Sequence, residues 1–221
     1  MEAIILAGGF GTRLKNIVSE LPKPMAPIRG VPFLSYILNQ LERQGFTKII
    51  LAVGYLHEKI SSYYGDHYKS IKIEYSIEDE PLGTGGCVKM AMRKTSDKHI
   101  FVINGDTYFD IDFSKITLPN NVLIACKKME DTSRYGKVLI KENTIVDFSE
   151  KGTGGSGYIN GGIYCFNRDV FDKFDLPTKF SMEKDLFEKY LVELNIQTYL
   201  SNDYFIDIGI PDDYEKAQRE L

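Results

Sequence analysis

Four apolar residues at the start of the chain, Ala3-Ile4-Ile5-Leu6, run without a break into Ala7-Gly8-Gly9-Phe10-Gly11-Thr12-Arg13-Leu14. A short apolar run bounded by turn residues is the pattern of a strand buried on both faces. Such a strand needs a covering layer on each side, which commits the chain to a layered α/β arrangement. The glycines beyond it let the backbone turn tightly and approach a ligand, and successive N–H groups there can cradle phosphate oxygens. Arg13 adds a permanent cation suited to phosphate. No Gly-Lys-Ser/Thr closes the loop, and Leu14 stands where a dinucleotide fingerprint needs its last glycine, so neither of those motifs is present. A tight turn between a strand and a helix is the bland alternative. Lys23, held in a segment stiffened by Pro22, Pro24 and Pro27, could reach the same phosphates, although a lone loop lysine is usually just solvated.

The rest of the first half alternates strand and helix patterns. Residues 33–44 place Phe33, Leu34, Ile37, Leu38 and Leu41 on one helical face, with Gly45 as the stop. Strands are predicted at 49–53, 71–75 and 100–103, with helices near 56–64 and from Gly86 to about Lys94. This order predicts a doubly wound, mostly parallel, Rossmann-like mixed sheet flanked by helices. The second half turns strand-rich, at 122–127, 136–140, 144–148 and 157–166, with Glu142-Asn143 as a hairpin turn and helices at 182–193 and 211–220. At 221 residues a single domain is expected, in two halves over about 1–110 and 111–221. A net charge of −4 speaks against nucleic acid as partner. No apolar run reaches membrane-spanning length, and the opening strand leaves no room for a signal peptide. Three cysteines without metal-ligand spacing suit free thiols in the cytoplasm. The three histidines show no such spacing either.

Several residues carry possible chemistry. Asp106 follows Asn104-Gly105 at the C-terminal end of a predicted strand, where open α/β sheets bind ligands. A hard carboxylate there suits Mg²⁺, and an ordinary turn aspartate is an equal alternative. Asp207 sits in the apolar stretch Tyr204 to Gly209, where an unpaired carboxylate would be costly and a cation partner is expected, unless it faces solvent at an edge. Glu150-Lys151 could serve a sugar phosphate or be a solvated pair. Residues 78–86 combine Glu78, Asp79 and Glu80 with three glycines. Carboxylates repel phosphates, so this segment suits the neutral end of a ligand. Glu78 could accept from two adjacent donors such as guanine presents.

Taken in order, LAGGFGTRL with Lys23-Pro24, PLGTGG at 81–86, Asn104-Gly105-Asp106, RYGKV at 134–138, Glu150-Lys151, NGGIY at 160–164 and DIGIPDDY at 207–214 resemble the motifs of the sugar-phosphate nucleotidyltransferase family over nearly the whole chain. The resemblance implies in-line attack of a sugar 1-phosphate oxygen on the α-phosphorus of a nucleoside triphosphate, with Mg²⁺ as cofactor. It implies catalytic roles for Arg13, Lys23, Asp106 and Lys151, and metal coordination by Asp106 and Asp207. Leu6, Ala7, Gly8, Gly9, Gly11, Thr12, Arg13, Lys23, Glu78, Pro81, Gly83 and Thr84 would surround the nucleotide. Asp106, Gly136, Glu150, Lys151 and Asn160 would take the sugar phosphate. Glu78 with PLGTGG is similar to the guanylyltransferase branch, which implies GTP as partner, and within it most to the bacterial heptose 1-phosphate enzymes of surface polysaccharide synthesis. Mannose 1-phosphate, or a hexose 1-phosphate with UTP or dTTP, are the other substrate pairs the family offers. An inactive sugar-nucleotide-binding subunit is the alternative of another class, disfavoured because Arg13, Lys23, Asp106, Lys151 and Asp207 are all in place. Relatives often associate, so a homo-oligomer is allowed. Phe205 stands where many relatives have Trp, a difference expected to concern packing.

Overall fold

The computed structural model describes residues 1–9, 20–117, 119–149 and 154–221. The first half contains β1 (Glu2–Leu6), β2 (Pro27–Ile28), β3 (Val31–Pro32), α1 (Phe33–Arg43), β4 (Lys48–Val53), α2 (His57–Tyr64), β5 (His67–Tyr68), β6 (Ile71–Ile77), α3 (Gly83–Met92), β7 (His99–Asn104) and β8 (Thr107–Phe109). The second half contains β9 (Val122–Met129), β10 (Lys137–Lys141), β11 (Thr144–Phe148), β12 (Gly157–Asn167), a π-helical turn (Met182–Glu188), α4 (Leu191–Leu194), β13 (Gln197–Ser201), β14 (Phe205–Asp207) and α5 (Pro211–Glu220).

Ten strands form one sheet in the order β10-β11-β13-β9-β12-β7-β1-β4-β6-β5. The apolar strands of the first half pair in parallel, β7-β1-β4-β6. Side chains alternate between two cores. Ala3 and Ile5 face one, with Phe33, Leu38, Ile60 and Ala217 from α1, α2 and α5. Ile4 faces the other, with Val88, Ala91, Phe187 and Leu194 from α3, the π-helical turn and α4. Both faces are covered, as the opening apolar run requires.

The sheet is mixed, with a larger antiparallel share than expected. β12 inserts antiparallel between β7 and β9, and β9 pairs in parallel with β13. β10 pairs with both β11 and β12, so that end of the sheet curls over on itself. Glu142 and Asn143 both take positive φ in the β10–β11 hairpin, as their identity predicts. The predicted 182–193 helix is instead a π-helical turn followed by a single turn of α-helix. Helix α3 begins at Gly83, three residues earlier than predicted, and its glycines pack against residues 178–180. Strands β8 and β13, of three and five residues, lie outside the predicted strands. Among the described residues no helix is long and apolar enough to cross a membrane.

Candidate active site

The site is built at the C-terminal ends of the parallel strands. Gly105 follows β7 and donates its N–H to the Leu6 carbonyl at the end of β1, at 2.9 Å. A Cβ on Gly105 would fall 2.6 Å from that carbonyl and 3.2 Å from a Pro24 ring carbon, so only glycine lets β1, β7 and the Pro22–Met25 turn converge. Asp106 and Lys23 are thereby brought face to face.

Asp207 arrives from the other end of the chain. Strands β8 and β14 form an antiparallel ribbon in which Asp207 pairs with Thr107, and the Ile208 N–H donates to the Asp106 carbonyl at 3.0 Å. The register therefore places the two carboxylates side by side. Lys23 Nζ donates to Asp106 Oδ2 and lies 3.7 Å from Asp207 Oδ1. The Gly209 N–H holds Asp207 Oδ1 at 2.6 Å. Burial and the Asp106 carboxylate push the Asp207 pKa above the usual range, against the opposing pull of Lys23 and the Gly209 N–H. Among the described residues no cluster of three or more His, Cys, Asp or Glu forms a ready cation cage. Two hard carboxylates already converging on one cation fit Mg²⁺, which is commonly held by one or two carboxylates with water and substrate phosphates completing its shell.

A cavity of about 1030 Å³ opens from this centre. Its walls include Lys23, Asp106, Asp207, Gly136 and Asn160, five of the expected site residues. The Asn160 amide is fixed by a bulge in β12. Its Oδ1 accepts from the Gly162 N–H at 3.0 Å, and its Nδ2 donates to the Tyr164 hydroxyl at 2.9 Å and to Glu183 Oε1 at 3.4 Å. Gly162 has φ of +73°, and a Cβ there would meet the Asn104 amide at 2.9 Å. The Asn-Gly-Gly motif thus bends β12 and aims Asn160 into the cavity. Tyr135, Lys137, Lys184 and Glu188 line the same space and were not anticipated.

A second cleft, of about 400 Å³, is lined by Gly8, Glu78 and Pro81 together with Gly54, Tyr55 and His57. The first three were expected there, whereas Gly54, Tyr55 and His57 were not. Glu78 Oε2 accepts from the Leu82 N–H at 2.9 Å, and Oε1 stands 3.1 Å from where a Gly8 Cβ would be. That carboxylate is held in one orientation, beside a backbone that only glycine keeps clear.

Other expected residues point elsewhere. Leu6 and Ala7 make sheet contacts, the Ala7 N–H donating to Ala52 at 2.8 Å, and neither lines the smaller cleft. The glycines of α3 are occupied by the chain itself. Gly83 has φ of +74°, a Cβ on it would lie 2.5 Å from the Phe180 carbonyl, one on Gly86 would lie 2.5 Å from the Thr178 carbonyl, and one on Gly85 would enter the Phe180 ring. Thr84 Oγ1 accepts from the Met182 N–H at 2.9 Å. Gly83 and Thr84 hold a neighbouring segment rather than facing the cleft. Gly11, Thr12, Arg13, Glu150 and Lys151 lie outside the described residues.

The fold and this pairing of clefts define a class of phosphoryl-transferring enzyme, and a family model described as nucleotidyl transferase matches residues 2–221, so the chain belongs to that family. Among its relatives is the D-glycero-alpha-D-manno-heptose 1-phosphate guanylyltransferase of Aneurinibacillus thermoaerophilus, 49% identical over 100% of this chain and 98% of that protein. The protein of the same name from Campylobacter jejuni is 48% identical over 97% of each. A solved structure of HddC from Yersinia pseudotuberculosis, complexed with GMP-PN, superposes with a TM-score of 0.87 at 37% identity, covering 99% of this chain and 98% of that one.

Proposed function

We propose that this enzyme joins D-glycero-α-D-manno-heptose 1-phosphate to GTP, giving GDP-heptose and pyrophosphate. The observation that carries the reading is the convergence of Lys23, Asp106 and Asp207 at the end of β7, in the wall of a larger polar cavity, with a cleft framed by Glu78 at the ends of β4 and β6 of the same sheet. Two nearly full-length relatives of that name support the choice of substrates.

The reaction forms a bond from a sugar-phosphate oxygen to the α-phosphorus and breaks the bond to the β-phosphate oxygen. No side chain need become covalently bound, so catalysis is positioning and charge neutralisation. Lys23 supplies a cation where the phosphates meet. Arg13 steadies the departing pyrophosphate, and Lys151 grips the sugar phosphate. Asp106 and Asp207 would hold Mg²⁺, which would supply positive charge to offset the phosphates when bound. The Gly136 backbone and Asn160 amide orient sugar hydroxyls. Glu78, locked by the Leu82 N–H, accepts from the N1–H and N2–H of guanine; uracil and thymine offer one donor on that edge.

Pyrophosphate release across four nucleoside triphosphates and the heptose, mannose and glucose 1-phosphates, with Mg²⁺, tests the reading. Turnover is expected to be greatest with GTP and the heptose phosphate. Preference for dTTP or UTP would overturn the guanine assignment, and no turnover with any pair would overturn the enzyme assignment.

A further inference from the structure

Glu183 belongs to none of the sequence motifs, yet it stands in the wall of the large cavity. Its position is fixed from two directions. The segment before it is riveted to α3: the Phe180 N–H donates to Leu82, the Gly85 N–H donates to Phe180, and the Met182 N–H donates to Thr84. From the sheet, the Asn160 amide reaches Glu183 Oε1 at 3.4 Å, and that amide cannot turn away because its oxygen holds the Gly162 N–H. The π-helical geometry that begins at Met182 is itself a frequent mark of a functional site.

A carboxylate has room for about four hydrogen bonds, and among the described residues only Asn160 supplies one to Glu183. The side chain is otherwise exposed to the cavity. An acceptor-only group with Glu188 nearby repels phosphate and suits neutral hydroxyls, while Lys184 on the same turn keeps the wall from being uniformly negative. The phosphate end of a ligand is drawn instead to Lys23.

We infer that Glu183 determines sugar specificity by accepting hydrogen bonds from both hydroxyls of the exocyclic glycol of the heptose phosphate. The inference rests on the proposed function. Heptose and mannose of the same ring configuration share every ring hydroxyl. They differ in the tail, which offers two exocyclic hydroxyls in the heptose and one in the hexose. Only a contact to the tail can tell them apart, and a carboxylate can take two neighbouring donors at once.

The test compares wild type with Glu183→Gln and Glu183→Asp, using GTP with the heptose or mannose 1-phosphate, with thermal melts to follow folding. Glu183→Gln is expected to lower kcat/KM for the heptose phosphate at least ten-fold more than for the mannose phosphate, chiefly through KM, and Glu183→Asp to fall between. An unchanged ratio, or equal losses for both sugars, would overturn the inference while leaving the proposed function standing. Wild type that does not turn over the heptose phosphate would overturn both.

Discussion

At the scale of single residues, Asp106, Asp207 and Lys23 form a charge cluster assembled at the expense of stability. Asp207 is half-buried next to a like charge, and its ionised form is disfavoured by burial and by Asp106. Asp207→Asn should therefore raise the melting temperature of the ligand-free protein and still lower kcat by about 10²-fold or more. A melt and a turnover assay check both halves of that expectation. Asp106→Asn should abolish turnover with the circular dichroism spectrum unchanged. These residues were legible because a carboxylate at a strand's C-terminal end, and another within an apolar stretch, both ask for a cation. Glu183 was not, because its place in the cavity wall depends on the π-helical turn and on the tie to Asn160, neither of which leaves a periodic pattern.

At the scale of elements, the glycines of α3 are a packing device. Their closeness to residues 178–180 means that Gly85→Ala should cost about 1–3 kcal/mol by overpacking. Combining it with Phe180→Ala should cost less than the sum of the two single changes, a coupling that urea unfolding can measure. The sequence pointed to a close approach of backbone at these glycines, but not to the partner, which lies about a hundred residues away. The start of β1 is anchored in a comparable long-range way. Buried Glu2 accepts from the Ser96 N–H at 2.6 Å, the Asp97 N–H at 3.0 Å and the Ser96 hydroxyl at 2.9 Å. Burial works to raise its pKa, yet these hydrogen bonds and Lys48 together hold it below the ordinary glutamate value. A lowered carboxylate stabilises the fold above its unfolded pKa, and the contribution fades as pH falls through the folded value. Glu2→Gln should therefore cost about 1 kcal/mol at neutral pH, and its melting temperature should approach that of wild type on acidification.

Over the whole molecule, α5 closes the site from the far end of the chain. Arg134 forms a bidentate pair with Asp213, at 3.2 and 2.5 Å, and the Tyr214 hydroxyl donates to the Pro27 carbonyl at 2.6 Å. One helix thus braces both the loop that carries Gly136 and the hairpin that follows Lys23. The pair is partly exposed, so it should matter more for the loop's position than for stability. Arg134→Ala should raise KM for the sugar phosphate several-fold, with a smaller change in the melting temperature, as steady-state kinetics and a melt would report. The parallel core of the fold was legible from its unbroken apolar runs. The antiparallel half was legible as strands but not as an order, because β12 crosses between β7 and β9 through contacts remote in sequence.

The riveting of Met182 to Thr84 has a consequence for how such an enzyme can be altered. Helix α3 begins two residues beyond Pro81, which borders the smaller cleft with Glu78, and its first turn also carries the segment that presents Glu183 to the larger cavity. On the proposed assignment of the two clefts, nucleotide choice and sugar choice are mechanically joined, not modular. A graft that replaces residues 178–188 to admit a new sugar would disturb the fit of the base as well, unless the glycines of α3 are exchanged along with it.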